Sequence, residues 1–273
     1  MSATTSTGRG GPAMDQIPAP GQGTSTNVVT EWIRSWRMLV RWNAAASKML
    51  LPLNVVVQVM MATGIVIGFG FLAPVQDPQV AMMLSTGAPT ILLLVTGLVL
   101  VPQVVGSMKL EGSYDWFRSL PAPRSAFLFA DIAVWTVVAL PGIALAVLVA
   151  ALRYDLDLAP TLWSPLAAVV VAGIAAMIGY AIATALPARI AQLLTQVLVF
   201  VILLFSPLTF SSEVLPNWLA PVHRVLPMEA MADLIRAGLA PHVYSVEPAQ
   251  VLLVAAWGVG ATALTLGLMS RRA

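Results

Sequence analysis

Cysteine is absent from all 273 residues, which excludes disulfides, thiol nucleophiles and cysteine-ligated metal centres. Charge is scarce as well. Asp, Glu, Lys and Arg make up 10% of the chain, where a soluble domain carries roughly 25%. Too few ionised side chains remain to cover a water-facing surface. Histidine occurs only at His223 and His242, too far apart in sequence for metal-ligand spacing. A G-x-x-x-x-G-K-[ST] phosphate loop is missing; "GQGTSTN" (21–27) has glycines but no lysine. A net charge of +2 gives no footing for nucleic acid.

What the chain has in excess is apolar sequence: 59% hydrophobic residues and a mean hydropathy of +0.87. Its apolar runs approach or exceed the ~18–20 residues that cross a bilayer as helix. Six spans are expected, at 50–73, 84–106, 126–151, 165–186, 189–206 and 249–269. The fold class is therefore all-α and polytopic. "PVQDPQ" (74–79) forms a short turn between the first two spans. "LPARI" (186–190) is so tight that spans 4 and 5 should be antiparallel neighbours. Residues 1–27, rich in Ser, Thr, Gly, Pro and Ala, read as a disordered tail without the apolar core of a signal peptide. Residues 28–273 read as one membrane domain.

Lys and Arg near span ends set orientation. One side receives ten of them (Arg34, Arg37, Arg41, Lys48, Lys109, Arg118, Arg124, Arg189, Arg271, Arg272) and the other three (Arg153, Arg224, Arg236). Both termini and residues 111–124 are thus expected in the cytoplasm.

Three segments stand outside the spans. "NVVTEWIRSWRMLVRW" (27–42) places Arg34, Arg37 and Arg41 on one helical face, opposite Trp32, Ile33, Trp36, Leu39 and Val40. Such a helix suits the membrane interface, as an anchor or also as a contact for a cytoplasmic partner. "EGSYDWFRSLPAPR" (111–124) reads as a two-turn helix. Ser113 is placed to cap it, Asp115 favours its dipole and Pro121 ends it. Its aromatics suit either a protein groove or the lipid interface. "SPLTFSSEVLPNWLAPVHRVLPMEAMADLIRAGL" (206–239) is broken by prolines and suits short helices that dip into the outer leaflet and return. Within it Glu229, Asp233 and Arg236 share a face, and Gly238 is placed as a C-cap.

Polar residues inside the spans belong on protein-facing surfaces. Asn54 and Gln58 lie in span 1, Thr90 and Thr96 in span 2, and Gln192, Thr195 and Gln196 on one face of span 5. They either line a path or hydrogen-bond between helices. Gly64 and Gly68 form a G-x-x-x-G in span 1 that permits close helix contact.

Together these features resemble the permease subunit of ABC-2 type transporters, in the style of actinobacterial drug exporters. The resemblance covers residues 28–272. It rests on the leading helix, the six spans, "EGSYDWFRSLPAPR" and "VLPNWLAPV" followed by "LPMEAMADLIR", with Leu215, Pro216, Trp218, Leu219, Asp233 and Arg236 at motif positions. The resemblance implies a coupling helix carried by Glu111, Ser113, Asp115, Trp116, Phe117, Arg118, Leu120 and Arg124. It implies an interfacial helix carrying Trp32, Arg34, Trp36, Arg37 and Arg41, and a path lined by Thr90, Thr96, Gln192, Thr195 and Gln196. It further implies a separate ATPase subunit that binds ATP and Mg, a second permease copy or a paralogue, and export of a drug-like, lipid or glycolipid cargo across the cell membrane, with a bearing on antibiotic resistance. The permease itself would hold no catalytic residue, cofactor or metal. An autonomous channel, a secondary transporter or an intramembrane enzyme would instead need charged or catalytic groups deep within the spans, and the sequence shows none there: Asp131 is near the start of span 3 and Arg189 is at a turn.

Overall fold

Backbone N–H and C=O groups cannot stay unpaired in lipid, so apolar runs of this length are driven to helix. The computed structural model describes residues 28–48, 51–72, 77–114, 116, 123–210 and 216–271. Among them there is no strand. The leading helix α1 covers Val28–Ser47. Six helices are long and apolar enough to cross a membrane: α2 (Leu51–Leu72), α3 (Pro78–Leu110), α4 (Arg124–Tyr154), α5 (Trp163–Ala185), α6 (Ala188–Phe205) and α9 (Pro248–Arg271). Two short helices, α7 (Ala220–Val225) and α8 (Pro227–Leu239), break the segment between α6 and α9. The tail expected at 1–27 lies outside the described residues.

The centre of the bundle is α3, the best buried of the six, which packs against α2, α4, α5, α6 and α8. Asp77 starts it by accepting a hydrogen bond from the Gln79 N–H at 2.9 Å, and Pro78 follows where no N–H is required. The helix runs for 33 residues, or about 50 Å at ~1.5 Å per residue. The expected span of 84–106 is too short at both ends. Hydropathy registers only the apolar middle, whereas helical hydrogen bonding continues into the capped, more polar turns beyond the ~30 Å hydrocarbon core. A π-turn interrupts α3 at Thr96–Leu100. It begins where α3 crosses α5. A Cβ on Gly97 would fall on the Ala175 backbone, and one on Gly179 would fall on the Gly97 carbonyl. Glycine at both positions brings the two backbones together.

One expectation about neighbours fails. α6 follows α5 after two residues, yet it lies chiefly along α3 and touches α5 little. Leu186 and Pro187 are both extended, so the turn fixes only the helix ends and leaves α6 free to swing onto α3. On the other flanks α2 packs on α4 and α3, and α9 packs on α5 and α8. The bundle thus has a near face, with α1, the α3–α4 connection, the 186–187 turn and the end of α9. Its far face carries residues 155–162, 206–210 and 216–247.

Candidate functional site

On the near face, α1 is held against the first two turns of α4. Trp32 donates its indole N–H to Ser125 Oγ at 2.9 Å, stacks on Trp36 with ring centroids 6.5 Å apart and meets Phe129 edge-on at 6.1 Å. Leu39 is buried with Ala126 and Ala130. Asn43 donates to Asp131 Oδ1 at 3.2 Å, and the Tyr180 hydroxyl donates to Asp131 Oδ2. A carboxylate inside a span is costly unless partnered; Asp131 has partners on both α1 and α5. Arg34, Arg37 and Arg41 all lie exposed on the opposite side of α1.

The α3–α4 connection is tied into the same face. Glu111 is the exposed C-cap of α3. Gly112 follows at φ +77°, a left-handed turn that ends helices and favours glycine. Ser113 donates through Oγ to the Met108 carbonyl at 3.2 Å, and Ser113, Tyr114 and Trp116 are helical. Asp115, Phe117, Arg118, Leu120 and Pro121 lie outside the described residues. Trp116 is 54% exposed and its ring sits 6.0 Å from that of Trp42 on α1. Lys109 donates to the Ala183 carbonyl and to that of Leu186 at 3.4 Å, and lies 5.5 Å from the Tyr114 ring centre. Arg124 donates to the Met269 carbonyl. Two cations therefore cap the C-termini of α5 and α9, where the carbonyls and the helix dipole favour positive charge.

On the far face the chain re-enters the bundle twice. Trp257, nine residues into α9, donates its N–H to the Val225 carbonyl at the end of α7 at 2.8 Å. Gly87, nine residues into α3, lies against the Leu208 carbonyl, leaving no room for a Cβ. Both contacts lie about 14 Å along their helices. Such irregular backbone must be satisfied by protein, and Arg236 does this. Its Nη2 donates to the carbonyls of Leu208 at 2.8 Å and Pro207 at 3.4 Å, while Nη1 pairs with Asp233 at 2.7 Å. Gln250 donates to the other Asp233 oxygen at 2.6 Å. The Arg236 guanidinium also lies 6.0 Å from the Tyr244 ring. Burial raises the Tyr244 phenol above its ordinary value, against the pull of Arg236.

Glu229, expected with Asp233 and Arg236, sits part-buried in the first turn of α8. Gly238 is not the cap: α8 runs to Leu239 with Ala240 as its C-cap. Gly238 is small because a Cβ there would meet Ser164 Cα at 2.7 Å. In the proline-tryptophan motif Leu219 is buried and Trp218 is 69% exposed; Leu215 lies outside the described residues. His223 is buried, with Nδ1 at 3.2 Å from the Leu219 carbonyl. Among the described residues no group of three His, Cys, Asp or Glu side chains is placed to hold a metal.

The polar residues of the spans separate into two sets. Gln58 on α2 donates to Thr96 Oγ1 at 2.6 Å, and Thr96 donates to Leu92 O at 2.7 Å. Thr90 is fully buried. Thr195 is buried and donates to the Gln192 carbonyl at 2.7 Å. Gln192 is half-buried beside Gly106, and Gln196 is exposed. The structure brings together Thr96 and Gln58, not Thr96 and the α6 residues. The contributions of Asn43, Lys109, Tyr180 and Gln250 escaped the sequence reading, because a partner far along the chain leaves no local pattern. Asp131 alone carried a signal, as an ionisable residue within a span.

Compared with known proteins, residues 42–240 match the family model described as ABC-2 type transporter. No curated relative matches the chain.

Proposed function

The chain belongs to the ABC-2 type transporter family, and from that membership we propose that it is the membrane-spanning subunit of an ATP-driven exporter in the cell membrane. The near face is the cytoplasmic one, because it carries eight of the eleven described basic residues. A separate ATPase subunit holds ATP and Mg and docks on residues 111–124. A second copy or a paralogue completes the transporter. The cargo is amphiphilic or apolar, in keeping with the scarcity of ionised groups within the spans.

The observation that carries this reading is that Lys109, Trp116 and Arg124 join the described parts of the α3–α4 connection to the bundle. Lys109 is bonded to the end of α5, Trp116 touches α1, and Arg124 is bonded to the end of α9. A push on this segment reaches α1, α3, α4, α5 and α9 together. ATP closes the ATPase pair, the segment moves with it, and the path between two permeases opens outward. Gln192, half-buried, and Gln196, exposed, are accessible on α6 and would line that path once a second copy completes it. Thr90, Thr96 and Thr195 lie inside one chain and support it by packing.

The test is affinity recovery of the gently solubilised chain from its own membrane. The wild type is expected to bring an ATPase subunit. Glu111→Ala with Arg118→Ala should reduce that recovery about tenfold, the equivalent of ~1.4 kcal/mol, without changing the elution volume of the permease. Unchanged recovery together with normal transport overturns the assignment.

A further inference from the structure

α1 has a second face, on which no contact with another described element is seen for its arginines. Its inner side, Trp32, Trp36, Leu39 and Asn43, is committed to α4. The helix therefore cannot roll, and the direction of its opposite side is fixed. That side carries Arg34, Arg37 and Arg41, each about one turn from the next. Lys48 extends the row, seven positions beyond Arg41, and all four are exposed. α1 lies beside the first two turns of α4, level with the edge of a span. Its row of cations thus points sideways, away from the bundle and into the layer of lipid headgroups.

The two flanks of the row settle which way is up. On one flank Trp42 reaches Trp116 of the α3–α4 connection, so this flank faces away from the hydrocarbon. On the other flank Ile33, Val40 and Ala44 offer only apolar side chains, and Ile33 is 45% exposed. Cations beside an apolar flank match a lipid phosphate above its first methylenes. Asp131, the one acid of the neighbouring stretch of α4, is part-buried on the inner side, bonded to Asn43 and Tyr180. It does not neutralise the row. Glu31 lies on the Trp42 flank.

We infer that Arg34, Arg37, Arg41 and Lys48 form a site for the phosphate groups of anionic phospholipids, which fixes α1 and through it the Trp42–Trp116 contact. Juxtamembrane basic rows draw anionic lipid by charge, and guanidinium groups pair phosphate in a bidentate manner. The exporter reading enters only in assigning the site to the cytoplasmic leaflet.

The test needs neither ATPase nor transport, so it stands or falls apart from that reading. The full chain is reconstituted in nanodiscs of equal phosphatidylglycerol and phosphatidylcholine, and the lipid retained after extraction is measured by native mass spectrometry. Phosphatidylglycerol should be enriched about tenfold, and the enrichment should decline as salt rises. It should vanish in R34Q/R37Q/R41Q/K48Q and persist in R34K/R37K/R41K. If the glutamine variant does not fold, the salt series on the wild type decides, and enrichment indifferent to salt overturns the site. Equal retention of both lipids overturns it. So does displacement of the lipid by an equal concentration of inorganic phosphate, which would mark a free-anion site.

Discussion

Arg236 satisfies two backbone carbonyls and a carboxylate at once, and its own side chain is nearly fully buried. Replacing it with methionine keeps the volume and removes every donor. Pro207 and Leu208 would then have bare carbonyls inside the bundle, and Asp233 would keep only Gln250. Arg236→Met is expected to destabilise the chain by about 3–5 kcal/mol, the range for breaking a buried ion pair from one side. Thermal unfolding in detergent measures this. Arg236→Lys should recover only part, because an ammonium lacks the planar fork that serves several acceptors together. The sequence showed part of this site. The i, i+3 spacing of Asp233 and Arg236 marks a shared helical face, whereas the partners at 207 and 208 lie almost thirty residues back and follow no periodicity. Asp131 shows the same limit: its charge was visible near the edge of a span, but Asn43 and Tyr180, which satisfy it, were not.

Helices were more legible than their neighbours. Six spans, the leading amphipathic helix and the broken far-face segment follow from hydropathy, periodicity and proline placement. The length of α3 and the partner of α6 do not, because both depend on where other helices stand. Glycine tests the packing directly. Gly97→Ala and Gly179→Ala each put a methyl onto a facing backbone and should cost at least the ~1–3 kcal/mol of an overpacked core. Lower melting temperature and broadened gel-filtration peaks would report it. Gly64→Ala and Gly68→Ala have open space in front of them and should change the stability of the chain by less than about 0.5 kcal/mol. Loss of paired copies in that double variant, with the single chain still stable, would locate the exposed side of α2 at the contact between permeases.

For the molecule as a whole, the lack of cysteine makes orientation measurable without a background. Lys48→Cys and Asp155→Cys replace exposed residues on opposite faces. An impermeant maleimide added to intact cells should label the cysteine at 155 and reach the one at 48 only after permeabilisation; the reverse pattern would invert the protein. An insertion in the 155–162 loop would disturb only its local bonds, which run from Ala159 and Thr161 to the end of α8. The π-turn in α3 gives the opposite prospect. Each residue of a helix advances the side chains by about 100°. One codon gained or lost between Leu92 and Val101 would therefore rotate everything that follows in α3, turning Lys109 away from the carbonyls of Ala183 and Leu186 and carrying Gly112 and Trp116 to another side. Across descent, this stretch should diverge by substitution and hold its length, and an alignment gap there would mark a lineage that has rebuilt the connection to α4.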